Sequence, residues 1–284
     1  MTDEREQTES ALTEKEIDRL RSKAREIRRL IVSMVYHAKS GHIGGSLSAT
    51  DLVVALYYHV MRHDPKNAKW SLRDRFILSK GHCSPVLYAV LGDCRYFPLE
   101  ELDTFRRVES RLQGHPSQPE TPGVEASTGT LGLGLSTALG MALAARLRHD
   151  KHYCYVLCGD GEQQEGQIWE AAMFGAKYGL KNVIAFTDRN RLQTDGNTEQ
   201  VMPLEPLADK WRSFGWNVDE VDGHDFCQII GAIGRAQRDA GNRPSMIIAH
   251  TIKGKGVRFM ENVAAWHGSV PNRQEFDRAL EELL

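Results

Sequence analysis

An aspartate between two glycines, Gly159-Asp160-Gly161, follows directly on the apolar run Tyr153-Cys154-Tyr155-Val156-Leu157-Cys158, and an asparagine, Asn190, stands thirty residues past that aspartate. Residues of these types can hold a diphosphate through a divalent cation. Glycines let the backbone approach an anion and turn its N–H groups toward it, while a carboxylate offers a hard oxygen to the cation. Alone, a Gly-Asp-Gly tripeptide is more often a plain turn. The elements around it must therefore decide.

The run before Gly159 is short and rich in β-branched and aromatic residues, which suits a buried parallel strand. After the polar stretch Glu162-Gln163-Gln164-Glu165, residues Ile168, Ala171, Ala172, Gly175 and Ala176 fall on one helical face, and 182–187 read as a second strand with Asn190 just past its end. Adjacent parallel strands end on the same edge of a sheet, so one βαβ unit accounts for the spacing and lets Asp160 and Asn190 meet on one ion. The carboxylate, the amide oxygen and a nearby backbone carbonyl leave further positions for ligand phosphates, and Mg2+ is the expected metal.

Histidine supplies the second chemistry. Of eleven histidines, His42, His82, His115, His224 and His267 lie next to glycine in turn-like segments. Imidazole can hydrogen-bond a diphosphate or a sugar hydroxyl and can exchange protons near neutral pH. His37, His59, His63, His149, His152 and His250 read as solvated or satisfied within the core.

The segment from Gly159-Asp160-Gly161 to Asp188-Arg189-Asn190-Arg191-Leu192 resembles the thiamine diphosphate motif of transketolases. Ser40-Gly41-His42, Ser79-Lys80-Gly81-His82, Gly114-His115-Pro116, Thr128-Gly129-Thr130-Leu131-Gly132, Lys253-Gly254-Lys255-Gly256 and Trp266-His267-Gly268 resemble further segments of that family, in its order. The resemblance runs over roughly 15–270 and implies thiamine diphosphate as the electron sink in moving a two-carbon ketol unit from a ketose to an aldose. It implies that His82 and His267 contact the diphosphate and that His42 and His115 face the reacting sugar. Gly129 and Leu131 would hold the aminopyrimidine through their backbone, and Glu165 would couple paired sites near a subunit interface. As part of a polar run, Glu165 also reads as a surface residue. His224 receives no role, and Lys253 and Lys255 suit either ligand contact or solvent. Ile43, Thr130, Leu133, Arg189 and Arg191 depart from the family's usual residues. Ile43 and Leu133 bear on substrate preference, and the two arginines add charge at the cofactor edge or a partner surface.

The 284 residues suffice for one large α/β domain. Complete transketolases resemble this chain over their first half only, so the expectation is the N-terminal subunit of a split transketolase. Its partner, a C-terminal subunit with the pyrimidine-binding domain, would supply the activating glutamate and bind substrate phosphate, in an α2β2 assembly. Alternatives are a component of a deoxyxylulose-phosphate synthase-like or 2-oxoacid dehydrogenase-like enzyme, or a non-catalytic cofactor-binding subunit. The sugars stay open, a branched or sulfonated one being as permissible as a pentose phosphate.

Composition fits these expectations. With 41% hydrophobic and 26% charged residues, a net charge of −2 and no apolar run of spanning length, neither nucleic acid nor membrane is indicated. A cytoplasmic protein is expected, because the N-terminus does not read as a signal peptide. Five cysteines without paired spacing read as reduced and structural. Residues 1–12 are expected to be flexible and 13–284 to form one domain. Thr13 with Glu16 marks the start of a long helix with an apolar face through Ile17, Leu20, Ala24, Ile27, Ile31 and Val35. Helices are expected over 48–63, 84–91, 135–147, 207–214 and 226–237, and strands over 75–78, 216–221 and 246–251. The alternation implies a mostly parallel sheet with helices on both faces.

Overall fold

Thr13 opens the first helix as its spacing to Glu16 suggests: Glu16 N–H donates to the Thr13 hydroxyl (3.3 Å), and the Glu16 carboxylate accepts from Thr13 N–H (2.9 Å). The computed structural model describes residues 12–238 and 240–284. Residues 1–11, most of the stretch expected to be flexible, lie outside the described residues. Helix α1 (Glu14–Ala38) buries the apolar stripe from Ile17 to Val35.

Helix α2 (Ile43–Ala55) begins five residues earlier than expected, and its last turn, Leu56–Val60, widens to π geometry. Every residue of α2 is buried, so it shows no amphipathic period. Gly44 and Gly45 suggest a turn in the sequence, yet packing is what requires them. A Cβ on Gly44 would lie 2.7 Å from the Trp266 carbonyl oxygen, and one on Gly45 2.7 Å from the Cys83 sulfur. The chain continues through β1 (Arg75–Leu78), α3 (Ser84–Asp93), α4 (Leu133–Leu147), β2 (Cys154–Gly159), α5 (Gly166–Lys177) and β3 (Val183–Arg189). A small hairpin of β4 (Leu192–Gln193) and β5 (Gly196–Asn197) leads into α6 (Thr198–Val201) and α7 (Leu207–Ser213), followed by β6 (Asn217–Asp222), α8 (Phe226–Arg238), β7 (Ser245–His250) and α9 (Arg273–Glu282).

The five long strands form one parallel sheet in the order β1-β2-β3-β7-β6. Apolar side chains pack on both faces. One layer joins α1, α2, α3 and α8 to the sheet through residues such as Leu20, Leu52, Tyr88, Phe186 and Ile229, and the other joins α4, α5 and α7 through Leu139, Ile168, Val156 and Trp211. The α/β expectation holds. Helix α9 has no counterpart among the expected elements, although Asn272 and Glu275 form a second capping box and Phe276 stacks on Tyr36 at 4.1 Å between ring centroids. Among the described residues no helix is long and apolar enough to cross a membrane.

Candidate active site at the carboxyl edge of the sheet

Because all five strands are parallel, the segments that follow them emerge on one edge: Lys80 to His82 after β1, Asp160 after β2, Asn190 after β3, His224 after β6 and Lys253 after β7. Strands β2 and β3 are neighbours with Gly159 opposite Asp188, which brings Asp160 and Asn190 out side by side. Both are buried. Asp160 Oδ1 accepts from Gly161 N–H (2.8 Å), and Oδ2 accepts from Arg191 N–H (2.5 Å) and from Arg189 Nη1 (3.3 Å). Leu192 N–H donates to Asn190 Oδ1 at 3.1 Å. Of the two places expected for its charge, Arg189 takes the cofactor edge, beside Asp160, and is not exposed as a partner surface would need. Its side chain is buried and ties Asp160 to Thr198, Glu199 and Glu205, with Nη2 2.8 Å from Glu199 and 2.9 Å from Glu205.

Three of the expected histidines gather beside this pair. The rings of His42, His82 and His267 lie 5.2–5.3 Å apart, His82 stacked on His267 and His42 edge-on to both. Burial, followed by the positive Lys80, lowers the His82 pKa to about 3. Burial and then the neighbouring ionisable groups, His82 and Arg106 first among them, lower His42 to about 4, and burial with Lys253 lowers His267 to about 3. His115 is lowered by burial and by His82. All four rings are therefore neutral near pH 7, able to donate at one nitrogen and accept at the other. His42 Nδ1 is buried without a protein partner, a polar atom left for a ligand to satisfy.

Further charged side chains frame these groups. Lys80 and Asp188, both buried, form an ion pair. Burial would raise the Asp188 carboxyl, but Lys80 and the hydroxyls of Ser48 and Thr251 outweigh it and hold the pKa below the usual range. Glu162, the first member of the run read as polar surface, is buried as well. It accepts from Gly159 N–H (2.9 Å), Gly132 N–H (2.8 Å) and the Ser79 hydroxyl (2.5 Å), joining three loops. Lys253 Nζ donates to the Leu192 carbonyl (2.9 Å) and His267 Nδ1 (3.0 Å), which settles its place inside the site. Each of these residues stands within a few positions of a strand's carboxyl end, a signal the sequence carried.

The groups line a cavity of about 430 Å3 that takes in His42, His82, His115, Gly129, Leu131, Gly159, Asp160, Gly161, Glu165, Asn190, Leu192 and His267. Every residue expected to take a catalytic, cofactor or metal role is thus brought together. Gly129 lies against His115, where a Cβ would meet the ring at 3.1 Å. Glu165 is exposed at the cavity's rim. Ile43 is packed in the core and Leu133 is exposed, and neither lines the cavity, so the expectation that they bear on substrate preference gains no contact here. Lys255 does not line it either.

The donor set fits the implied ligands. Among the described residues no group of three or more His, Cys, Asp or Glu side chains is placed to hold a metal ion, so a cation here would take mixed oxygens: the Asp160 carboxylate, the Asn190 amide and the Leu192 carbonyl. That carbonyl already accepts from an ammonium group. Burial and then Asp188 raise the Asp160 pKa, while Arg189 and the N–H groups of Gly161 and Arg191 act against them.

Residues 20–283 match the family described as transketolase, thiamine diphosphate binding domain. The 6-deoxy-6-sulfo-D-fructose transketolase subunit SqwG of Clostridium sp. (strain MSTE9) is 46% identical over 96% of this chain and 98% of its own length. One subunit of the apulose-4-phosphate transketolase of Phocaeicola vulgatus is 44% identical over 94% of this chain and 95% of its own. In shape the chain is similar to the crystal structure of Campylobacter jejuni transketolase, with a TM-score of 0.89 and 34% identity over 94% of this chain but 43% of that longer one.

Proposed function

We propose, since this chain belongs to the transketolase family of thiamine diphosphate-binding domains, that it is the N-terminal, cofactor-holding subunit of a two-subunit enzyme that transfers a two-carbon ketol unit from a ketose to an aldose. The observation that carries the reading is the emergence of Asp160 and Asn190 from neighbouring strands beside three packed imidazoles. Thiamine diphosphate, when bound, supplies the electron sink that lets the bond next to a ketose carbonyl break. Mg2+ is the cation we assign to Asp160, Asn190 and the Leu192 carbonyl.

The chain's own residues bind, orient and move protons. His82 and His267, neutral at pH 7, donate to the diphosphate, with Lys253 supplying charge on the same side. His42 and His115 face the sugar and exchange protons with its hydroxyls, a task that needs an unprotonated ring. Gly129 and Leu131 hold the aminopyrimidine through backbone groups, and Glu165 at the rim meets a neighbouring subunit. The partner we infer carries the pyrimidine-binding domain, in an α2β2 complex in the cytoplasm, where the five free cysteines suit a reducing compartment. The names of the two relatives extend the range of donors to test from pentose phosphates to a sulfonated ketose and a branched sugar phosphate.

The test is reconstitution. With Mg2+, thiamine diphosphate and this donor panel, two-carbon transfer is expected only after the partner subunit is added. Turnover by this chain alone would contradict the two-subunit reading, and a complex that turns over no ketose donor would contradict the transketolase reading itself.

A further inference from the structure

The Asp222-Gly223-His224-Asp225 turn, which the transketolase reading leaves without a role, reaches the site from behind. Ile252 N–H donates to His224 Nε2 at 2.9 Å, and His224 Nδ1 stands 2.6 Å from Asp51 Oδ2. A ring whose Nε2 accepts carries its proton on Nδ1, so Nδ1–H donates to the carboxylate and the tautomer is fixed. Asp51 is held in turn by the two terminal guanidinium nitrogens of Arg28, at 3.1 and 2.6 Å, and both side chains are buried. The line of contacts runs from α1 through α2 and the β6–α8 turn to the backbone one residue before Lys253.

That backbone needs holding. After β7 the chain leaves the sheet, and five hydrogen bonds fix it: Thr251 N–H donates to the Arg189 carbonyl at 3.2 Å and its hydroxyl to Asp188, Ile252 N–H donates to His224, Asn262 N–H donates to the Lys253 carbonyl at 2.9 Å, and Gly254 N–H donates to the Gly44 carbonyl at 3.0 Å. Three of these run between backbone groups. Of the two that depend on side chains, the bond to His224 is the one that holds a backbone N–H, and Lys253 follows it directly with its ammonium on the Leu192 carbonyl and His267. We propose that His224 is a positioning residue, backed by Asp51 and Arg28, that fixes the peptide at Ile252 and so sets where Lys253 enters the cofactor edge. The consequence for cofactor affinity rests on the transketolase reading, whereas the clamp on Ile252 does not.

Two substitutions separate this role from simple satisfaction of the buried Asp51. Asparagine places its amide near the position of Nδ1, so His224→Asn keeps a donor for Asp51 and loses the acceptor for Ile252. Glutamine reaches the position of Nε2, so His224→Gln returns an acceptor to Ile252. In the assembled complex, hydrogen exchange over 246–256 is followed by mass spectrometry, with 183–189 as an internal control for folding, and thiamine diphosphate affinity in Mg2+ is measured by calorimetry. His224→Asn is expected to speed exchange at Ile252 and weaken cofactor affinity, each about tenfold, the loss of one buried hydrogen bond. His224→Gln is expected to restore both to within about twofold. Wild-type values in His224→Asn, or rescue by asparagine and not by glutamine, would overturn the proposal. If the wild-type complex bound no thiamine diphosphate, the transketolase reading would fall, and the exchange measurement would still decide whether His224 clamps Ile252.

Discussion

The two edges of the sheet differ in a way that volume does not reveal. At the amino edge, the connections α4–β2, α5–β3 and α8–β7 enclose the larger cavity, about 700 Å3 against about 430 Å3 at the carboxyl edge. Its cations, Arg146, Lys151, Lys177, Lys181 and Arg238, are exposed. At the carboxyl edge Lys80, Lys253, Asp160, Asp188, Glu162 and Arg189 are all buried. Burying charge costs free energy unless partners compensate, and the compensation here is nearly complete within the protein. The lesson is that chemistry is found where ionisable groups are held out of water at some cost, and the larger cavity does not mark it. The buried edge is also where glycines let loops approach closely enough to meet, as Gly44 and Gly45 do against Trp266 and Cys83.

If that contrast is sound, the largest effect should come from breaking the buried pair. Lys80→Met keeps the volume but leaves Asp188 without its cation, and should cost about 3–5 kcal/mol in denaturant unfolding. The neighbouring Ser48 and Thr251 hydroxyls cannot replace a charge. A loss below about 1 kcal/mol would mean the carboxyl edge is no more strained than the amino edge.

Next in size, and confined to function, is the division among the histidines. His115→Ala should slow two-carbon transfer roughly a hundredfold or more while cofactor affinity changes little, and His82→Ala should do the reverse. Steady-state kinetics beside calorimetry reads both. Full turnover with lost cofactor in His115→Ala would reverse the assignment.

The smallest effect, counted per side chain and per pH unit, is on the pH dependence of stability. The folded values of His42, His82 and His267, about 4, 3 and 3, lie below the ordinary 6.5. The unfolded chain therefore binds more protons between those limits. The stability these neutral rings retain is fully present above about pH 6.5 and is lost as pH falls from there toward the folded values. Each ring contributes a slope of roughly 1 kcal/mol per pH unit, reduced where solvent screens it. Thermal melts of the wild type between pH 7 and pH 5 should move down with acid. Replacing His82 by glutamine should flatten that decline, and an unchanged slope would argue that the rings are hydrated.

Much of this is legible in the residues. Strand, glycine turn, helix, strand place Asp160 and Asn190 on one edge because a parallel βαβ unit allows little else, and the glycine-flanked histidines signal loops close to a ligand. What stays hidden depends on tertiary contact. Lys80 and Glu162 show their burial only once α2 brings the Gly45 carbonyl to Lys80 and the loops at Ser79 and Gly132 meet on Glu162. Arg189 reads as an added surface charge until Glu199 and Glu205 fold back onto it, and His224 acquires a purpose only when Asp51 and Ile252, far away in the chain, arrive on its two nitrogens. The expected start of α2 at 48 misses its first residues because Gly44 and Gly45 are poor helix formers, kept here by close packing.

The central claim is that the carboxyl edge holds thiamine diphosphate through a cation on Asp160 and Asn190. Calorimetric titration of the assembled complex with thiamine diphosphate, with and without Mg2+, tests it most directly when Asp160→Ala is compared with Lys181→Ala from the amino edge. The expected result is Mg2+-dependent binding in the wild type, unchanged in Lys181→Ala and abolished in Asp160→Ala with the fold intact by circular dichroism. Near-wild-type affinity in Asp160→Ala would contradict the account.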